Sequence, residues 1–310
     1  FMRVPLPAAM MTMSNAMKRP VFGGWKTWMI GMLLPLLAAC SAVRVTYDQG
    51  PLLAYWWLDR QVDFSSEQAP RVRAALDDWF AWHRASQLPD YAQALGEVAV
   101  QLRGDISPTQ VCSQLEAWQR RAARAFDRAV PAVAEQLRSL SPAQVHRLEE
   151  VQADRHQAVQ KEILQPDPEE RRAATLKRWV ERAERLYGTL DDAQRAQLAA
   201  GLAAAPFDPE RWLAERRART QDLLRALRQW RAEQADAATV EADLRRLTAA
   251  LEQSPRPGYP AYARRVQAAQ CALIAQLHNS TTAAQRQRAA ERLQGWQADF
   301  RALATKAASR

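Results

Sequence analysis

Four histidines, His83, His146, His156 and His278, are the side chains of this 310-residue chain best suited to metal binding or to proton transfer near neutral pH. The nearest thing to a ligand cluster is His146 with Glu149, Glu150, Asp154 and His156. Ten residues along one helix separate the two histidines by roughly 15 Å and about 80° of rotation, so they cannot share an ion without ligands from elsewhere. Di-iron bundles draw Glu-x-x-His pairs from two helices, and no such pair stands out. His83 falls beside Trp79 and Phe80 on an apolar face and reads as a hydrogen-bonded structural histidine. His278, ahead of the polar break Asn279, Ser280, Thr281, Thr282, reads either as a helix-terminal histidine complementing the helix dipole or as part of a functional surface. Nucleophile elbows, phosphate-binding glycine loops and paired-histidine zinc motifs are absent from the sequence. We therefore assign no catalytic residue, metal or cofactor and expect a protein that is not an enzyme. A lytic enzyme acting on peptidoglycan is the weaker alternative: it would need only one glutamate in a groove, which sequence cannot nominate.

The composition breaks sharply near residue 40. All seven methionines precede it, with four basic residues (Arg3, Lys18, Arg19, Lys26) and no acidic ones. Residues 28–39 then form an apolar run whose 12 residues would span about 18 Å as a helix, against about 30 Å of bilayer core. Residues 1–39 thus read as an export signal rather than a membrane span, with Met17 a natural start and residues 1–16 an over-extended reading frame.

Leu37, Ala38, Ala39, Cys40 and Ser41, placed after a basic region and an apolar core, resemble the lipobox of bacterial lipoproteins. The resemblance implies a diacylglyceryl group on the Cys40 thiol, cleavage before it and an acylated new terminus (palmitate is a typical chain). Several acyl chains hold a protein to a bilayer where one does not. Serine rather than aspartate at position 41 implies sorting to the outer membrane, with residues 40–310 folded on its periplasmic face. Export disfavours nucleic acid as a partner. It also leaves Cys112 and Cys271 as the remaining thiols in an oxidising compartment, either paired in a disulfide or separately buried as small apolar side chains. Without its first 39 residues the formal charge of +9 falls to +5, and the basic groups are nearly all arginine, interspersed with Glu, Asp and Gln as on solvated helix faces. A basic face of this kind could meet lipopolysaccharide phosphates or peptidoglycan carboxylates.

From residue 52 onward the pattern is helical. Val72, Leu76, Trp79, Phe80 and His83 share one face, as do Thr220, Leu223, Leu224, Leu227 and Trp230, and then Tyr262, Val266, Ala269, Leu273 and Leu277. No stretch of alternating β-branched residues competes, and Ala, Leu, Arg, Gln and Glu dominate. Prolines punctuate the chain, and Pro131, inside a helical run, should kink or split it. Helix starts recur as cap, x, x, Gln: Ser65 to Gln68, Ser107 to Gln110, Ser141 to Gln144, Asp191 to Gln194 and Thr282 to Gln285. In such a capping box the cap side chain accepts from the third helical N–H while Gln accepts from the N–H of the cap. Spacings of 42, 34, 50 and 91 residues make these punctuation and not a solenoid repeat. Three aromatics in a row, Tyr55, Trp56 and Trp57, point in different directions on a helix; packing into the core is the expected use, with a membrane interface as the alternative.

The helix starts resemble those of small periplasmic chaperones of the Spy and CpxP type, an alternative reading that implies client binding. A wider resemblance rests on Tyr47-Asp48 through Trp57-Leu58-Asp59-Arg60, on Trp82-His83-Arg84 with Leu88-Pro89-Asp90-Tyr91, and on the stretch from Leu277 to Arg286. These resemble DUF6279, a family of helical bacterial lipoproteins of unknown function, over essentially the whole chain after the signal. The expected architecture is all-α, an irregular bundle of about ten helices. The expected role is that of an outer-membrane-anchored structural or interaction lipoprotein, attached to the membrane through Cys40 and contacting an envelope protein or peptidoglycan.

Overall fold

The computed structural model describes residues 42–308, so the signal segment and Cys40 lie outside the described residues. All regular structure among the described residues is helical: α1 (Ala42–Asp48), α2 (Gly50–Val62), α3 (Gln68–Trp82), a π turn (His83–Gln87), α4 (Leu88–Gln101), α5 (Pro108–Arg138), α6 (Pro142–Ile163), α7 (Pro168–Tyr187), α8 (Asp192–Ala204), α9 (Pro209–Ala232), α10 (Ala237–Glu252), α11 (Tyr259–Asn279) and α12 (Ala283–Ala308). The fold is all-α, as expected. No described helix is long and apolar enough to cross a membrane.

Proline chemistry sets several of these boundaries. Pro108, Pro142, Pro168 and Pro209 open helices, where the missing N–H costs nothing. Pro89 lies within the run from α3 to α4 and would clash with the carbonyl four residues back. The chain widens there into the π turn, in which the Leu88 N–H bonds to the His83 carbonyl, and the helix continues. Of the two expected effects of Pro131, splitting does not occur: α5 runs unbroken through it. Asp127, whose carbonyl loses its partner, and Pro131 itself are both exposed, so water can satisfy the freed group.

The largest core joins α4, α7, α8, α11 and α12 around Leu190, Leu198, Leu273, Ala289 and Leu293. A second gathers Val130, Ala134, Leu227, Trp230, Val240 and Leu244 from α5, α9 and α10. Helix α5, 31 residues and therefore roughly 46 Å long, runs between them: Val111 and Trp118 pack on the first core, Val130 and Ala134 on the second. Near its start α5 is bonded to α11 through Cys112 and Cys271, whose Cα atoms are 5.5 Å apart. The disulfide closes a loop of 159 residues. A third core, of Tyr47, Phe80, Leu88, Tyr91 and Leu303, ties α1 to α3, α4 and α12. Gly50 belongs to it by default, because the Phe80 ring occupies the space a Cβ would need.

The proline-rich segment between α10 and α11 is pinned by charge. Arg256 bonds to Glu215 at 3.2 Å and to Asp222, while Arg219 reaches Glu215 at 2.6 Å. Glu215 is buried and its two arginines are partly so, which makes this pairing a firmer clamp than the solvated ion pairs elsewhere.

Candidate functional site

His83 occupies the π turn, inside a cage of rings. Trp79 stacks on it at 4.6 Å, Tyr91 meets it edge-on at 5.3 Å, and the Tyr47 hydroxyl shares a 2.8 Å hydrogen bond with Nδ1. Burial holds the imidazole down to about 4 and pushes the Tyr47 phenol upward. At neutral pH His83 is therefore an uncharged packing group. Around it Arg84 pairs with Asp48 at 2.9 Å, and Asp90 accepts from Arg121 at 3.0 Å and Arg124 at 2.8 Å.

His278 repeats the theme at the end of α11. Its Nε2 lies 2.8 Å from the Gly104 carbonyl, which can only accept, so Nε2 carries the proton and Nδ1 accepts from the Tyr187 hydroxyl at 3.0 Å. Burial again holds the ring below its ordinary value, and the Tyr187 hydroxyl is raised to about 12. The expected role as a cation complementing the helix dipole is thus corrected: His278 sits in the last turn of α11 but is fully buried and neutral. What it does is hold a loop. Next to it Asn279 grips Ile106 through both backbone groups, at 2.9 and 3.0 Å, and Arg286 reaches Asp105 at 2.6 Å. The segment 104–106 is thereby fixed ahead of the Ser107 cap of α5.

All five capping boxes form, each cap N–H donating to its Gln Oε1 and each Gln N–H to its cap oxygen. Four of them join in pairs that nothing in the local sequence announces. Gln68 and Gln144 exchange amide hydrogen bonds at 2.7 and 3.3 Å, and Gln194 and Gln285 do so at 2.8 and 3.0 Å. Each amide also donates to the carbonyl two residues before the partner's cap: Gln68 to Ser139, Gln144 to Asp63, Gln194 to Ser280 and Gln285 to Thr189. Both donors and both acceptor positions of every amide are then used, which is why four glutamines can be buried. Gly188, at φ 78° and ψ −164°, supplies a backbone shape open only to glycine just before Thr189. The fifth box, Ser107 to Gln110, is exposed and unpaired in this sense.

The cluster around His146 does not assemble. His146 lies 3.3 Å from Glu150, both exposed, while His156 accepts from Arg217 at 3.1 Å. Among the described residues no group of three or more His, Cys, Asp or Glu side chains is placed to hold a metal. Burial, then Arg217 and Arg216, keep His156 below its ordinary value.

A family model described as a family of unknown function, DUF6279, matches residues 60–254. The chain belongs to the DUF6279 family. Neither a curated protein nor a solved structure matches it. In this DUF6279 chain the matched stretch contains the whole first glutamine pair and His83, whereas His278, Cys271 and Gln285 lie beyond it.

Within the matched stretch the DUF6279 chain also has two shallow clefts of about 390 and 440 Å³ that share Pro142 and Arg231. Together they make one open groove between the start of α6 and the end of α9. Arg138 and Trp230 line one end, His146, Glu149 and Arg228 the other. Arg231 donates to the Leu140 carbonyl at 2.6 Å, Arg138 to the Ala235 carbonyl at 2.9 Å, and Arg228 to Glu149 at 2.5 Å. At its rim Gln234 takes a left-handed conformation, φ 50°, as the chain turns from α9 into α10. The three aromatics of α2 divide: Tyr55 is buried, but Trp56 and Trp57 are 56% and 47% exposed, which corrects the expectation that all three pack inward. A single helix cannot turn neighbouring side chains, about 100° apart, toward one core.

Proposed function

We propose that this protein is an outer-membrane lipoprotein, attached through acylated Cys40, whose helical domain acts as a non-enzymatic interaction module in the cell envelope. The anchor is supported by the lipobox-like residues 37–41 behind a short apolar run. The interaction role is supported by the open groove between α6 and α9, where arginines, His146 and Glu149 surround a tryptophan floor. Exposed arginines around a concave surface suit a protein partner. An acidic segment would meet Arg138, Arg228 and Arg231 with complementary charge.

Two measurements test this. Mass spectrometry of the mature terminus should find an acylated Cys40, and Cys40→Ala should leave the outer-membrane fraction; an unmodified terminus refutes the anchor. A photo-crosslinking residue at Gln234 or His146 should trap one discrete envelope partner, while the same residue at Glu252, outside the groove, should not. No adduct at either groove position refutes the interaction surface.

A further inference from the structure

Helices α1 and α2 behave as one rod at the start of the described chain. The Gln49 N–H bonds to the Val45 carbonyl at 3.2 Å and the Leu53 N–H to the Gln49 carbonyl at 3.0 Å, so the helical path carries across the junction. One side of the rod is committed to the third core, through Tyr47, Ala54 and the close contact of Gly50 with Phe80. The opposite side carries Val45, Gln49, Leu52 and Trp56, which fall within about 60° of arc on a helical wheel. All four are exposed: Val45 is 56%, Leu52 43% and Trp56 56% accessible. Three apolar side chains in a solvent-facing line, ending in a tryptophan, are the reverse of the polar outer face expected of a helix on a globular domain.

The position of this line in the chain says what covers it. Helix α1 begins two residues after Cys40, a distance that extended chain covers in about 7 Å. If Cys40 carries acyl chains, α1 starts at headgroup level and the rod has nowhere to go but along the surface. From Val45 to Trp56 the line measures roughly 17 Å, and tryptophan is the side chain favoured at the boundary between headgroups and acyl chains. A second copy is the poorer occupant: three side chains bury well under the roughly 800 Å² per partner of a stable interface.

We infer that the outward line of α1 and α2, Val45, Leu52 and Trp56, lies in the interfacial layer of the phospholipid bilayer that holds Cys40, so that the domain is seated on the membrane rather than tethered loosely to it. This rests on the lipoprotein reading above. The seat fixes which faces of the bundle look away from the membrane, and hence where a partner must approach.

The test uses the mature protein isolated from membranes and reconstituted in vesicles of phosphatidylethanolamine and phosphatidylglycerol. Replacing these lipids by brominated phospholipids should quench tryptophan emission, and Trp56→Phe should remove at least half of that quenching while leaving far-ultraviolet circular dichroism unchanged. A nitroxide on Leu52→Cys, with Cys112 and Cys271 bonded, should collide more often with oxygen than with a water-soluble nickel chelate. Acylated Cys40 with quenching insensitive to Trp56→Phe, or a nickel-accessible label, overturns the seat and leaves the anchor standing. An unacylated terminus in the same sample overturns the anchor, and the seat with it. Spin–spin broadening between labels would assign the line to a second copy and equally overturn the proposal.

Discussion

Truncating one paired glutamine should cost far more than truncating the unpaired one. In the folded chain the Gln194 side chain donates to Ser280 at 3.1 Å and to Gln285 at 2.8 Å, and accepts from the Asp191 N–H at 3.1 Å and from Gln285 at 3.0 Å. Gln194→Ala deletes all four bonds in a buried site, at about 1 kcal/mol net for each. Leaving the Asp191 N–H and the Ser280 carbonyl without these partners adds to the loss, so the expected destabilisation is at least about 4 kcal/mol. Gln110 offers the internal control. Its side chain accepts one bond, from Ser107 at 2.7 Å, in an exposed box, and Gln110→Ala should cost about 1 kcal/mol. Urea unfolding followed by circular dichroism measures both. Because the two amide bonds between Gln194 and Gln285 are lost in either single variant, the double variant should be less costly than the sum of the two singles by about 2 kcal/mol. A Gln194→Ala cost no larger than that of Gln110→Ala, or strict additivity with Gln285→Ala, would refute the view that paired boxes clamp helix starts together.

Other perturbations follow from the same structure. Reducing the Cys112–Cys271 bond opens a 159-residue loop and should lower stability by about 5 kcal/mol in the chain-entropy limit; thiol labelling of unfolded, unreduced Cys40→Ala protein should find no reactive cysteine. His83 is held at about 4, below its ordinary 6.5, so the unfolded chain takes up the proton first as pH falls. Its contribution is therefore complete above pH 6.5 and is lost between there and pH 4, by about 3 kcal/mol; His83→Gln should flatten the pH dependence of stability across that window. Glu215→Ala removes the carboxylate shared by Arg219 and Arg256, leaving Arg256 to Asp222 alone, and should cost about 3 kcal/mol in urea unfolding, whereas Glu241→Ala, which removes an exposed helix pair, should cost less than about 0.5 kcal/mol. Gln234→Gly relieves a left-handed backbone after α9 and should stabilise by about 1 kcal/mol.

Helix class, helix starts and most inward faces were legible in the amino-acid order, because caps and 3.6-residue periodicity are local: Ser141 and Gln144 must find each other whatever the rest of the chain does. The inward burial of Val72, Phe80 and His83, and of Tyr262, Val266, Leu273 and Leu277, follows from the same periodicity. Of the short runs that resemble the DUF6279 family, Trp82-His83-Arg84 and Leu88-Pro89-Asp90-Tyr91 fall within the matched residues 60–254, whereas the run from Leu277 to Arg286 does not. Pairing was not legible. Gln68 and Gln144 are 76 positions apart, Gln194 and Gln285 91, and an amide that satisfies its own cap carries no sign of which other amide will meet it. The two cysteines were open between bonding and separate burial until the packing of α5 on α11 brought them together. His278 reads from its neighbours as a helix-end group complementing the dipole, yet it is fully buried, because a loop 174 residues earlier in the chain covers it, and that burial holds the ring below its ordinary value even though the Gly104 carbonyl accepts from it. Trp56 faces outward because the rod's other side is already filled by Phe80, a choice made by tertiary contacts. Local hydrogen bonds and periodicity decide what each segment is; only long-range packing decides which polar groups are consumed in the core and which apolar side chains are left facing outward.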